Sequence, residues 1–164
     1  MDTTEKITRR GAVGLVLAGL TLPAAKAFAT HHRGVDAHIV VDATGVVLTT
    51  FSGEIFTAEF ACDLQIGSGG GARGSALFKR FGVFTHYVAE VGGLDVDEAH
   101  DPIRAWVLMR ERRSDGQLAQ DWALASFEPS AVEDIYLKIS WMAPTLNHEP
   151  VQFAVPGHFE TGPR

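Results

Sequence analysis

The chain is 164 residues long, 46% hydrophobic and 21% charged, with a formal net charge of -6 and a single cysteine. That length holds one domain with a proper core and excludes a second domain of ordinary size. The carboxylate excess argues against phosphate backbones and anionic lipid as partners, and a lone Cys62 excludes an intramolecular disulfide.

The N-terminus carries Thr8-Arg9-Arg10-Gly11, then an apolar run from Ala12 to Leu20 broken by Pro23. A basic start and a short apolar stretch are the features of an export signal, and the run is too short to span a bilayer comfortably. Ala25-Lys26-Ala27 or Ala27-Phe28-Ala29 offers the small-residue cleavage pattern. The paired arginines resemble a twin-arginine (Tat) signal, with an ordinary Sec signal as the alternative. The expected division is therefore a signal peptide over 1–29 and a single β domain over 30–164, exported to the periplasm or the exterior. Losing four basic and two acidic residues with the signal moves the net charge from -6 to -8.

Thr30 to Asp36, with His31 and His32, reads as a frayed arm. Ala37–Val41 and Val46–Phe51 are β-branched runs separated by Asp42-Ala43-Thr44-Gly45, which predicts two strands and a turn. Glu54–Ile66 reads as a strand with a bulge midway. After the loop Gly67-Ser-Gly-Gly-Gly-Ala-Arg-Gly-Ser75, the period of two from Leu77 to Val91 predicts one long strand. Gly92–Pro102 reads as an acidic connector. Asp115-Gly116 between Ile103–Arg113 and Gln117–Phe127 is the sequence of a type I′ hairpin. Alternating Ile135, Leu137, Ile139 and Trp141 predict a half-buried strand, and Val151–Val155 a last strand ending at Pro156-Gly157. Seven to eight short strands without a helical period predict an all-β barrel or sandwich.

Candidate chemistry is sparse. Gly69-Gly70-Gly71-Ala72-Arg73-Gly74, with Asp95 further on, formally satisfies G-x-G-x-x-G, but a dinucleotide site needs a helix after that loop and the residues here are β-like. His31, His32, His38 and Asp36 are the only histidine-rich group near in sequence, and adjacent strand residues point to opposite faces, so a metal is not expected. Asp95, Asp97, Glu98 and Asp101 lack the spacing of a calcium loop. Ser68, Ser75 and Cys62 are nucleophile types, and His86, His100, His148 and His158 base types, yet none lies in an elbow context. No cofactor is expected.

One order of motifs is informative. Gly53-Glu54-Ile55 precedes the glycine loop, Phe78-Lys79-Arg80-Phe81-Gly82-Val83-Phe84-Thr85-His86-Tyr87-Val88 follows it, and Glu149-Pro150-Val151-Gln152-Phe153 closes the series. That order resembles the Hcp family, the tube proteins of type VI secretion, over roughly Ala37 to Phe159. The resemblance implies a β-barrel protomer that assembles into six-membered rings and has no enzymatic activity. The family's helix after the long strand has no counterpart between Val91 and His100, and tube proteins generally lack signal peptides.

The leading expectation is thus an exported, non-catalytic barrel acting through self-association or contact with another protein, without nucleic acid and without stable membrane insertion once the signal is removed. A second is an envelope binding module for a small apolar ligand or a metal, its barrel interior lined by Phe81, Tyr87, Trp106, Trp122 and Trp141. A third is a small barrel enzyme using His86 and Asp101.

Overall fold

The computed structural model describes residues 35–99, 101–130 and 136–163. The expected signal segment, His31, His32, His100 and Ile135 lie outside them. Eight strands follow one another as neighbours and close into an antiparallel barrel: β1 (Val35–Thr49), β2 (Ile55–Ile66), β3 (Ala72–Arg80), β4 (Val83–Val96), β5 (Pro102–Arg112), β6 (Leu118–Pro129), β7 (Tyr136–Met142) and β8 (Val151–Pro163). A short 3₁₀ turn, Pro144–Leu146, joins β7 to β8.

Alternation sets which residues point inward, since successive strand side chains face opposite sides. In β2 the buried set is unbroken at even positions, from Phe56 through Phe60 and Leu64 to Ile66, so the bulge expected there is absent. The irregularity lies in the facing strand. Three steps of β1, from Ala43 to Val46, oppose two steps of β2, and Gly45 takes φ +67°. That bulge switches the inward positions of β1 from Val41 and Ala43 to Leu48. Asp42–Gly45 therefore does not end a strand, and the two strands expected there are one.

The single long strand expected from Leu77 to Val91 is instead a hairpin. Arg80 pairs with Val83, and Phe81 and Gly82 take φ +51° and +78°, the two positive values of a type I′ turn. Asp115-Gly116 does not form that turn. The amide of Arg113 donates to the carbonyl of Gln117 at 2.9 Å, the amide of Gly116 donates to Arg113 at 2.9 Å, and only Gly116 has positive φ. This is the longer loop in which a glycine relieves the final residue. The acidic connector is also shorter than expected, because β4 runs on to Val96. Pro156 does not stop β8. It sits where the strand changes partner, pairing with Tyr136 of β7 while Gly157 pairs with Val41 of β1.

The interior is filled. Phe60 lies 5.5 Å from both Trp141 and Phe153 and 6.5 Å from Phe127, while Trp141 stacks on Phe78 at 5.7 Å and meets Tyr87 edge-on at 4.8 Å. Ala58, Ala76, Ala105, Ala123 and Ala125 face the same space and leave room for those rings. Large and small residues alternating in this way let side chains fill an eight-stranded barrel. Each fully buried large side chain contributes about 1.5–3 kcal/mol.

Candidate functional site

The five aromatic residues expected to line the interior part company. Tyr87 and Trp141 are in the core. Trp106 belongs to a separate cluster with Leu108 and Leu124 on the outward face, and Trp122 packs against that cluster. The expected interior position fails for both by parity: β5 buries Ala105, Val107 and Met109 inside, which turns Trp106 outward, and β6 does the same to Trp122. Trp106 lies across Gly93, where an added Cβ would come within 2.7 Å of the indole. Phe81 is not interior either, since it occupies the β3–β4 turn with 72% of its surface exposed.

The pair His86 and Asp101 cannot form. His86 aligns with Arg112 at one end of β5, and Asp101 immediately precedes Pro102 at the other. Ten residues of extended chain separate those ends by roughly 33 Å. The amide of Asp101 donates instead to the Asp97 carboxylate at 2.8 Å, and Asp95 accepts from Arg104 Nε at 2.7 Å, so these acids organise a loop and a strand pair. His38 bonds Asp63 at 2.8 Å, and His158 pairs with Glu160. Among the described residues no group of three or more histidine, cysteine or acidic side chains is placed to hold a metal.

Cys62 faces the interior, and burial pushes its thiol up to about 12, with the backbone contact to Val41 opposing and Asp63 adding to the rise. A thiol so reluctant to ionise is a poor nucleophile. Burial also raises the Tyr87 phenol, whose oxygen lies 3.3 Å from the Thr145 hydroxyl. The glycine loop holds no helix. Gly67 and Gly71 close it through a 2.9 Å backbone bond, and β3 begins at once. Gly74 takes φ +106° with its Cβ position only 2.0 Å from the Asp63 carbonyl oxygen, so its role is close approach of two strands.

Two surface features emerge that inspection of the sequence missed. At the end of the barrel carrying the β1–β2 and β3–β4 turns, Phe51, Ile55, Phe81, Val83 and Phe84 are all exposed. Arg80 ties this end together: its guanidinium lies 4.5 Å from the Phe56 ring and 4.8 Å from the Phe81 ring, donates to the Thr145 carbonyl at 3.0 Å, and pairs with Glu54. At the opposite end, beside the glycine loop, a cavity of about 1030 Å³ is lined by Asp36, His38, Gln65, Arg73 and Glu160 among others.

Several polar groups on the outer face pair between neighbouring strands, Lys79 with Glu59 at 2.9 Å and Arg110 Nε with Glu90 at 2.8 Å among them. Comparisons with known protein families, with curated proteins and with solved structures find no match. The assignment that stands is structural: a closed, eight-stranded antiparallel β-barrel.

Proposed function

We propose that this is a non-catalytic barrel protein, exported through its N-terminal signal, that acts by self-association through its turn end, in the manner the Hcp resemblance implies. One observation carries the reading. Phe81 is an aromatic residue at a positive φ that glycine or asparagine adopts more readily, and it is also 72% exposed. A non-glycine residue there costs about 1 kcal/mol and the exposed part of the ring gains nothing for the monomer, while its contacts with Arg80 at 4.8 Å and Phe56 at 6.1 Å offset that cost only in part. A ring held in that posture, beside Ile55 at 69% exposure, suits a surface that another molecule covers.

The inside-out pattern supports the same class. Membrane barrels are apolar outside and polar within, whereas this one is filled by Phe60, Phe78, Phe127 and Trp141. Among the described residues no helix is long and apolar enough to cross a membrane.

The test is sedimentation across a wide concentration range, comparing the native chain with Phe81→Asn. Asparagine suits the first position of a type I′ turn, so the variant should be as stable as the parent to within about 1 kcal/mol. Its self-association should weaken at least tenfold. A native chain that stays monomeric at every concentration removes the self-association reading.

A further inference from the structure

The closed barrel is not bonded along the whole of its β1–β8 seam. β8 bonds to β1 only between Val35–Val41 and Gly157–Pro163, and its first half, Val151–Pro156, bonds only to β7. Among the described residues, nothing pairs with β1 from Asp42 to Thr49 on the side away from β2. The two edges diverge around a groove of about 510 Å³ lined by Asp42, Val46, Val47, Phe153, Ala154 and Pro156, among others. The Ser52 amide and hydroxyl close its upper end by donating to the Glu149 carboxylate at 3.2 and 3.1 Å.

Backbone direction in this window follows from one bond. The amide of Thr50 donates to the Glu54 carbonyl at 2.9 Å, so Thr50 and Glu54 are a hydrogen-bonded pair. Pairs alternate along an antiparallel ladder. Leu48 and Val46 therefore turn their amides toward β2, and Val47 and Thr49 turn both N–H and C=O outward into the gap. Val47 is 66% exposed. From Ala43 to Phe51 there is no charge and no proline, the usual guards of a free edge.

We propose that this window is a second docking site, distinct from the turn end, and that its occupant is an extended peptide segment of another protein. An unpaired, unguarded ladder edge is completed by a strand, the recognition mode in which main-chain bonds supply the affinity. The upper closure at Ser52 and Glu149 favours a single inserted segment over a flat sheet edge from a second barrel. At about 3.3 Å per residue the gap opposite Phe153–Pro156 takes roughly four residues. The inner wall offers Val46 and Phe153 to small or β-branched side chains, and Asp42 is the one charged residue of the lining. A segment with an uncharged centre and a basic end matches both.

The probe is the blocked hexapeptide Lys-Val-Thr-Val-Thr-Lys, titrated into isotope-labelled protein and followed by amide NMR. Saturable shifts at Val46, Val47 and Ala154, with the Val47 amide exchanging about tenfold more slowly, are expected. A peptide with proline at its third position should do neither, and glutamate ends should weaken binding at least fivefold. Equal binding of the proline peptide, shifts confined elsewhere, or no shift at millimolar peptide would overturn the proposal. Val47→Pro deletes the outward N–H and should abolish peptide binding. If it lowers self-association while the peptide never binds, the edge belongs to a second copy and the proposal is wrong. The proline peptide decides the matter even if that variant fails to fold.

Discussion

The two ends of the barrel are built on opposite terms. The turn end is closed by short hairpins, by the buried Leu146 of the 3₁₀ turn, and by Arg80 lying against both Phe56 and Phe81. The glycine-loop end is open and is held by the Gly67–Gly71 backbone bond and by the Ser68 amide donating to the Asp36 carboxylate at 3.0 Å. Five large apolar side chains, Phe51, Ile55, Phe81, Val83 and Phe84, are exposed at the turn end against Ile103 and Tyr136 at the other, and the cavity of about 1030 Å³ lies beside the glycine loop. Rigid and apolar is the combination for a contact surface, because little ordering remains to oppose association.

Breaking the closed end should cost most at Trp141. It is fully buried, touches Phe60, Phe78 and Tyr87, and its indole N–H has no hydrogen-bond partner among the described residues. Trp141→Ala should destabilise by about 3–5 kcal/mol in denaturant titration. Trp141→Phe should cost much less, since it removes the orphaned donor along with some packing. If the two variants were equally damaging, the indole N–H would have a partner after all.

Arg80→Ala comes next. Arg80 is a partly buried cation on two aromatic faces, with a carboxylate and a carbonyl as partners. Its removal should cost about 1–3 kcal/mol, and hydrogen exchange should quicken at Glu54 and Thr145 while the glycine loop is unchanged. Arg80→Lys should recover only part of the loss, because an ammonium has no planar face to lay against a ring and no fork to reach Glu54 and the Thr145 carbonyl together.

How far the sequence foretold this arrangement depends on which face each strand showed. Leu137, Ile139 and Trp141 were legible because polar neighbours alternate with them, and the all-β barrel follows from several such runs. In β5 the run Ala105-Trp106-Val107-Leu108-Met109 is apolar on both faces, so alternation could not say that Trp106 looks outward. The Phe81-Gly82 turn was hidden because phenylalanine rarely takes a positive φ, whereas Asp115-Gly116 advertises a turn type that it does not adopt. Asp42–Gly45 has turn chemistry that β1 absorbs as a bulge, and no local pattern reveals that its far edge is left unpaired. The exposed turn end and the window both depend on these long-range registers.

A smaller effect belongs to the sealed interior as alkali is added. The Cys62 thiol and Tyr87 phenol both have folded-state values raised by burial, Cys62 to about 12. Each group keeps its proton longer when folded than when unfolded. Their stabilisation is thus full below the unfolded values and is lost as pH climbs through the window up to the folded ones. Denaturation midpoints should hold to about pH 9 and then fall, by at most about 1.4 kcal/mol per pH unit for each group. Cys62→Ala should make the fall shallower between pH 9 and 11, and an unchanged slope would mean that the thiol is not shielded.

The least costly change should lie at the open end. Gly69 sits in the loop between β2 and β3, outside the positive-φ glycines, and a Cβ added there meets nothing within 4 Å. Gly69→Ala should shift stability by no more than about 0.5 kcal/mol, and can raise it slightly by narrowing the unfolded ensemble. Gly74, five residues on, offers the control: alanine there drives its methyl into the Asp63 carbonyl and should fail by several-fold more. Equal tolerance at the two positions would show that β3 does not hold the close approach to β2 on which the rim of this end is built.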